Sequence, residues 1–307
     1  MTTSTVAHLL TQELKHTDIE VKGWVRTFRA NRFIALNDGS CLQNIQCVID
    51  FESMDEGLLK RISTGAAVHI KGGLVESQGK GQSVEVQVSS IEILGDADPE
   101  DVSKTILQPK RHSLEFLREQ AHLRTRTNTF SAVMRLRSSL SFAVHSYFNK
   151  NGFYYMHAPI VTGSDAEGAG EMFRVTTLDA KNPPLTEDGA VDYSKDFFGK
   201  ETNLTVSGQL EAETYAMALG KVYTFGPTFR AENSNTSRHL AEFWMIEPEV
   251  AFMDLAGNMD LAEDFMKSVI SYVLDHNKED LAFLEQRLEQ EDKSKPQNER
   301  APMPLTE

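Results

Sequence analysis

Hydrophobic and polar positions alternate in five segments of the first hundred residues, at 20–29, 32–37, 44–50, 67–75 and 83–93. Turn signals such as Asn37-Asp38-Gly39 and Gly72-Gly73 punctuate this part of the chain, so the pattern predicts β-strands. Residues 54–64, between the third and fourth segments, predict a helix. Five strands with a helix in that place predict an OB-fold barrel, which commonly binds oligonucleotides. The pattern alone leaves a different small barrel open.

Helical spacing dominates the rest of the chain. Residues 126–150 place apolar side chains on one face of a long helix that ends before Gly152, and residues 153–159 then predict a strand. Further strands are predicted at 203–207 and 222–225, and further helices at 209–219, 255–276 and 280–288. The polar residues 178–200 indicate an insertion loop, and 292–307 a loosely ordered tail. Together these elements predict an α+β fold.

A long polar loop between two strand patterns is the most informative local feature. Arg230 and Glu232 end the first arm, residues 233–239 form the tip, and residues 242–247 form the returning arm. With a period of two, Arg230 and Glu232 share a face. A hairpin that carries Arg, His, Glu and Phe side chains into one cleft suits a triphosphate and a flat base. The alternative is an ordinary hairpin with solvated charges.

Length and charge shape the domain prediction. A chain of 307 residues is typical of about two domains. We expect a barrel domain at 1–103, a basic connector at 104–127 and a second domain at 128–307. The net charge is −14, yet residues 104–137 hold eight Lys and Arg against two Asp and Glu. A basic strip of this kind either binds phosphates or forms the solvated face of helices.

The cysteines and the hydropathy pattern bear on location. Cys41 and Cys47 are the two cysteines, too few for a disulfide framework, which favours a reduced, cytoplasmic compartment. Apolar runs of membrane-spanning length and a signal-peptide pattern are both missing from the sequence. We therefore expect no membrane partner.

The hairpin also carries a family resemblance. Phe229-Arg230-x-Glu232, followed by Arg238-His239-x-x-Glu242-Phe243, resembles motif 2 of the class II aminoacyl-tRNA synthetases. The helix and strand at 126–159 resemble motif 1, which forms the dimer interface in that family. An N-terminal barrel is typical of the subgroup that acts on aspartate, asparagine and lysine. The sequence of residues 229–249 most resembles the asparagine-specific members of that subgroup.

The resemblance implies asparagine activation with ATP and Mg²⁺, transfer to tRNA(Asn), and a homodimer. Catalysis would rest on Arg230 and Glu232, with Arg230 on the α-phosphate and the amino-acid carboxylate, and Glu232 near the adenine or the terminal adenosine of the tRNA. Arg238 and His239 would meet the distal phosphates, and Phe243 would stack on adenine. A planar guanidinium suits such bidentate contacts better than an ammonium group. For Phe243 the plain alternative is a core aromatic.

The same resemblance implies an amino-acid site and an anticodon site. Glu167, Gln209, Glu211 and Glu213 would bind the amino acid, with Glu167 on its ammonium group. Aspartate-specific members carry a lysine at the place of Ala212, so here Glu211 and Glu213 would flank a site that lacks this cation and favours an amide. The alternative is that one of the two glutamates, more naturally Glu211, is an ordinary solvated helix residue. The anticodon would be read by three residues of the barrel, Arg26, Phe33 and Gln46, through stacking and base-edge hydrogen bonds.

The resemblance ends before the family pattern is complete. Motif 3, a glycine-rich segment ending in Gly-x-Gly-x-x-Arg, is missing between Glu249 and Glu307, and so are the acidic Mg²⁺ ligands that precede it in the family. We expect a C-terminally truncated catalytic domain with little or no aminoacylation activity alone; a naturally short protein is the alternative. Alternative functions are an aspartate-specific synthetase, a non-catalytic tRNA-binding protein and an ammonia-using asparagine synthetase. The last is disfavoured because such enzymes lack the barrel predicted at residues 1–95.

Overall fold

The computed structural model describes most of the chain as two compact units. The described residues are 3–12, 18–52, 54–79, 81–98, 106–108, 110–166, 168, 170–234, 236, 238–301 and 304–306. One unit comprises Met1–Ser139 with Leu274–Glu307, and the other comprises Leu140–Val273. The connector and the last helix therefore pack in the same unit as the barrel, which the sequence-based boundaries at 103 and 127 did not predict.

A closed five-stranded barrel forms the first unit's N-terminal part, which confirms the predicted OB-fold. Its strands, in the order β1-β2-β3-β5-β4, are parallel only between β3 and β5. The bounds are β1 Asp18–Arg29, β2 Phe33–Asn37, β3 Ile45–Val48, β4 Ala67–Glu76 and β5 Val84–Gly95. Alternate residues point inward, so the core holds side chains such as Val21, Ile34, Leu36, Ile45 and Ile70, each fully buried.

Gly72 allows β4 and β5 to approach closely. The register between these strands shifts between Lys71 and Gly72, and a Cβ atom at Gly72 would lie 2.1 Å from the carbonyl oxygen of Gln87. Backbone cannot move aside as a flexible side chain can. A residue without a Cβ is therefore required where the barrel closes.

Two short helices accompany the barrel, α1 at Val6–Thr11 and α2 at Glu56–Arg61. The second occupies the predicted place between β3 and β4 but is shorter than the predicted 54–64. Asp55 caps it, because its carboxylate accepts a hydrogen bond from the backbone N–H of Leu58 at 2.8 Å. Capping satisfies one of the N–H groups that the first helical turn leaves free.

Replacing Asp55 with alanine should lower the free energy of unfolding by about 1 kcal/mol, because the Leu58 N–H loses its acceptor. Chemical denaturation followed by far-UV circular dichroism measures this change. Asp55→Asn is the matched control, since its side-chain oxygen can still accept the bond. Equal losses in both variants would show that the cap does not stabilise α2.

Three further helices complete the described part of the first unit: α3 Leu114–Glu119, the N-terminal half of α4 Asn128–Lys150, and α7 Lys278–Lys293. Arg135 of α4 donates three hydrogen bonds, between 2.7 and 3.1 Å, to the buried carboxylate of Asp280 of α7. The described part of the predicted tail, residues 292–301 and 304–306, makes specific hydrogen bonds. Asp292 is buried and accepts a bond from the backbone N–H of Ala301 at 2.9 Å.

The second unit is built on a three-stranded sheet of order β11-β10-β6. The strands are β6 Tyr154–Met156, β10 Lys221–Phe229 and β11 Glu242–Val250; β10 pairs antiparallel with β11 and parallel with β6. Helix α5 Gln209–Leu219 and most of α6 Leu255–His276 lie in this unit. An aromatic core surrounds Phe148, whose ring is stacked 4.4 Å from Tyr223 and 5.1 Å from Phe265.

A second small sheet, of order β7-β9-β8, holds the insertion loop. Its strands are β7 Val161–Thr162, β8 Arg174–Val175 and β9 Thr202–Leu204. Residues 178–200 are irregular as predicted, apart from a 3₁₀ turn at Tyr193–Lys195 and a bridge between Leu185 and Val191. The Asp196 carboxylate accepts hydrogen bonds from the Thr176 hydroxyl and from the backbone N–H and hydroxyl of Thr177, and these hydrogen bonds hold the pKa of Asp196 below its usual range.

Candidate functional site

The hairpin of β10 and β11 positions a polar loop at one end of the sheet. The strands pair continuously from Lys221 and Val250 to Phe229 and Glu242. The backbone N–H of Arg230 then donates to the carbonyl of Ala241 at 3.0 Å, which closes the base of the loop. Strand-forming residues thus fix both ends, and the polar residues between them face a cavity instead of continuing the ladder.

A cavity of about 500 Å³ lies under this loop. It brings together all five residues predicted to bind the nucleotide, together with four that the sequence did not single out. The described lining residues are Arg230, Glu232, Asn233, Ser234, Arg238, His239, Leu240, Ala241 and Phe243. Such a volume is within the range of small-molecule sites, and two guanidinium groups give it an affinity for anions.

Arg230 is the side chain best prepared for an anionic ligand. Its guanidinium carbon lies 5.5 Å from the centroid of the Phe243 ring, which orients the planar group by a cation–π contact. Its Nε–H is buried and has no hydrogen-bond acceptor among the described residues. A buried donor without a partner costs roughly 1–3 kcal/mol, so an acceptor supplied by a ligand would relieve that cost.

Glu232 connects the hairpin to the glycine-rich segment at 164–171. Its carboxylate accepts from the backbone N–H of Glu171 at 3.3 Å, and the backbone N–H of Ala231 donates to the carbonyl of Glu171 at 2.7 Å. A Cβ atom at Gly170 would lie 2.5 Å from the Glu232 carboxylate. A side chain at position 170 would therefore displace the Glu232 carboxylate from its present place. Glu167, predicted to bind an ammonium group, lies outside the described residues.

Glu247 organises the start of helix α5, and the sequence did not identify it. Its carboxylate accepts from the Ser207 hydroxyl, from the backbone N–H of Gly208 at 3.1 Å and from the Thr224 hydroxyl at 2.8 Å. The Ser207 oxygen in turn accepts from the backbone N–H of Gln209 at 3.0 Å. A carboxylate embedded in the apolar pattern of β11 was the available signal, since a half-buried acid needs several donors.

The predicted amino-acid residues on α5 separate into two faces. Gln209 and Glu213, four residues apart, share a face, and the Gln209 amide donates to the Glu213 carboxylate at 3.0 Å. Glu211 is two residues from each and points elsewhere. Contact of Glu211 or Glu213 with a substrate amide stays a prediction. Ala212 between them is fully buried against Met156 and other residues of a small apolar cluster.

Two of the three predicted anticodon residues lie on the same outer face of the barrel. Phe33 pairs with Val48, and Gln46 with Ala35, so the side chains of Phe33 and Gln46 are diagonal neighbours. The Gln46 amide donates at 3.1 Å to Glu85, a buried carboxylate that also accepts from Ser77 at 2.9 Å. This network orients Gln46 beside an aromatic ring, an arrangement suited to an unstacked base.

Arg26 does not join these residues. Its guanidinium donates to the backbone carbonyl of Arg126 at 2.6 Å and to the side-chain carbonyl of Asn128 at 3.0 Å. Burial, together with the positive charge of Arg135, lowers the pKa of the Arg26 guanidinium. Arg26 thus packs against the connector and the start of α4, and a contact between Arg26 and a base stays a prediction.

Within the described ranges, His, Cys, Asp and Glu side chains form no group of three that could hold a metal ion. Among the helices of the described chain, none has the length and apolar character needed to span a bilayer.

Comparisons with known families assign both parts of the chain. Residues 113–304 match the family described as tRNA synthetases class II (D, K and N), and residues 19–94 match the OB-fold nucleic acid binding domain. The first match covers well over half of the chain and includes the hairpin cavity. The chain belongs to the class II tRNA synthetases of the D, K and N group.

Individual relatives of this synthetase are named for asparagine. It is 60% identical over 291 residues to the asparagine–tRNA ligase of Cytophaga hutchinsonii, covering 93% of this chain and 62% of the relative. It is 53% identical over 298 residues to the ligase of Treponema denticola, covering 92% and 62%. The chain thus spans about three fifths of the length of the curated relatives it matches.

Solved structures show the same fold. The asparaginyl-tRNA synthetase of Pyrococcus horikoshii, complexed with asparaginyl-adenylate, superposes with a TM-score of 0.76 at 24% identity, covering 92% of this chain and 61% of that one. A putative aspartyl-tRNA synthetase of Leishmania major Friedlin superposes with a TM-score of 0.68 at 19% identity, covering 92% and 54%. At these identities the class II synthetase architecture is shared, which confirms the predicted fold class.

Proposed function

We propose that this chain forms the barrel and part of the catalytic domain of an asparagine–tRNA ligase. In the first reaction a carboxylate oxygen of asparagine attacks the α-phosphorus of ATP. The bond from that phosphorus to the bridging oxygen breaks, and pyrophosphate leaves with the electron pair. In the second, the terminal ribose hydroxyl of tRNA(Asn) attacks the activated carbonyl carbon, loses its proton, and releases AMP.

The observation that carries this proposal is the buried Nε–H of Arg230 in the hairpin cavity, which has no acceptor in the described part of the chain. Negative charge builds on the α-phosphate oxygens during the first reaction, and a prepositioned guanidinium stabilises it without reorganisation. Arg238 and His239 line the same cavity and would hold the distal phosphates. Phe243 would contact adenine while its ring also positions Arg230.

Selection of asparagine over aspartate would rest on the start of α5. Gln209 offers an amide and Glu213 offers a carboxylate, and one hydrogen bond holds the two groups together. A side-chain amide of the substrate can donate to a carboxylate, whereas an aspartate side chain would be repelled and would lack a cationic partner. Close relatives named asparagine–tRNA ligase, at up to 61% identity, support the same choice.

Recognition of tRNA(Asn) would begin on the barrel face that carries Phe33 and Gln46, through stacking and base-edge hydrogen bonds. A homodimer in the cytoplasm is part of the proposal. The homodimer is supported by exposed apolar residues on α4, including Met134 and Phe142, whose side chains are 48% and 61% exposed. ATP would bind as substrate. The described residues do not account for Mg²⁺, so no step above depends on it.

ATP–pyrophosphate exchange tests the proposal, with the product of the complete reading frame as the enzyme. Exchange that depends on asparagine, followed by charging of a tRNA(Asn) transcript, would support it. Stimulation by aspartate in place of asparagine would assign the aspartate-specific alternative. Binding of the transcript with no exchange for any amino acid would identify a non-catalytic tRNA-binding protein and overturn the proposal.

A further inference from the structure

A second cavity, of about 730 Å³, lies within the first unit, whereas the hairpin belongs to the second. Its walls come from strand β1, from residues 106–108 and 110–112 of the connector, from the region around the start of α4, and from helix α7. Nothing in the class II reaction as derived above uses this space. Its size is that of a pocket for a small organic ligand.

Positive charge dominates the walls. The charged residues among the described lining residues are all cationic: Arg26, Lys110, Arg111, Arg126 and Arg287. Glu291, a carboxylate just outside the lining, forms ion pairs with both Arg111, at 3.0 Å, and Arg287, at 3.1 Å. One negative charge therefore compensates two arginines, and the remaining cations leave a concentrated positive potential.

The other three cations lack acidic partners in the described part of the chain. Arg26 donates only to neutral oxygens, those of Arg126 and Asn128. Lys110 and Arg126 are exposed, and neither enters an ion pair with a described residue. Like charges placed around one space repel one another unless an anion lies between them. The arrangement therefore favours a ligand with several negative charges.

An aromatic side chain lies on the same walls. Trp24 lines the cavity although 54% of its surface is exposed, and Asn44 contributes a side-chain amide nearby. An exposed indole in a strand is a platform on which a planar base can stack. Phosphate groups beside the cations and a base on Trp24 would use both features of the cavity.

We propose that this cavity binds a nucleoside di- or triphosphate as a site separate from the hairpin cavity. The concave walls and the volume favour a mononucleotide over the backbone of a bound RNA. Lys110 and Arg126 are the cations with most freedom to hold the phosphates. Trp24 holds the base, and Arg26 is fixed by the connector so that its charge faces the same space.

Tryptophan fluorescence can observe this site directly. The chain has two tryptophans, so Trp244→Phe leaves Trp24 as the remaining indole. Titration of that variant at low salt with ATP and GTP should quench the Trp24 emission, and tripolyphosphate should compete. Inorganic phosphate should bind at least about tenfold more weakly, because it carries less charge and no base. Added salt should weaken binding.

Matched variants separate this site from the hairpin cavity. Lys110→Ala combined with Arg126→Ala should weaken nucleotide binding about tenfold or more. Lys60→Ala, which removes an exposed lysine of the same unit, should leave the quenching of Trp24 by nucleotide unchanged. Circular dichroism establishes that each variant is folded. Absence of quenching by every nucleotide overturns the proposal.

A tRNA-binding assay tests for RNA as the other occupant of this cavity. Filter binding of a tRNA(Asn) transcript to the same variants measures whether these cations hold RNA. Loss of RNA affinity in the double variant, without nucleotide binding to Trp24, would assign the cavity to RNA backbone and overturn the proposal. Nucleotide binding that the double variant loses, with RNA affinity retained, supports it.

Discussion

Replacing Arg230 with alanine is expected to lower the rate of asparaginyl-adenylate formation about a thousandfold. The guanidinium is already oriented over Phe243, and its buried Nε–H lacks a partner among the described residues. Removing one such prepositioned donor to a developing oxyanion costs a factor of roughly 10²–10³ in kcat, and here a full positive charge is lost as well. ATP–pyrophosphate exchange by the product of the complete reading frame measures the effect.

Two further variants show what the Arg230 effect depends on. Arg230→Lys keeps the charge but loses the planar, bidentate fork and the stacking on Phe243, so its rate should lie between those of the wild type and Arg230→Ala. Arg174→Ala removes an exposed arginine of the same unit, which pairs with Glu201 outside the hairpin cavity, and should change the rate little. Equal losses in all three variants would indicate a general effect on stability and contradict the assigned role.

The largest expected loss of stability follows from Phe148→Ala. Phe148 is 1% exposed and contacts the rings of Tyr147, Phe153, Tyr223 and Phe265. Truncating a buried phenylalanine removes its transfer free energy and leaves a cavity, which together cost about 3–5 kcal/mol. Urea denaturation followed through Trp244, which belongs to the same unit, should show the midpoint shifted to lower urea.

Phe142 offers a matched control on the same helix. It is 61% exposed, with its ring 6.0 Å from Tyr272, so Phe142→Ala should lower the free energy of unfolding by about 1 kcal/mol or less. A loss for Phe148→Ala as small as that for Phe142→Ala would contradict the aromatic core described here. An unchanged slope of the denaturation curve would show that both variants alter stability and not the unfolded state.

Local sequence patterns predicted the barrel and the hairpin well. The strands of the barrel alternate because one face of each is buried, and that alternation is visible without any knowledge of the partner strand. The nucleotide-binding candidates from Arg230 to Phe243 lie within fourteen consecutive residues. A single loop therefore brings them together, and the structure places all of them around one cavity.

Residues that depend on distant partners were predicted poorly. Ser207 and Glu247 are separated by forty positions, and their hydrogen bond requires α5 to start beside β11. Arg26 and Asn128 are separated by 102 positions, and their contact holds Arg26 against the start of α4. Nothing in the residues around either partner indicates such a pairing.

By itself, the sequence determined which segments form strands and helices, the resemblance to a synthetase family, and the chemical types gathered in the hairpin. Only the tertiary structure decided that Gln209 and Glu213 share a face without Glu211, that Glu247 holds the start of α5, and that a second cationic cavity surrounds Trp24. The physical reason is the separation along the chain over which each kind of interaction acts. Periodicity and turn chemistry act over a few residues, whereas hydrogen-bond partners and cavity walls are chosen by packing among segments far apart in the chain.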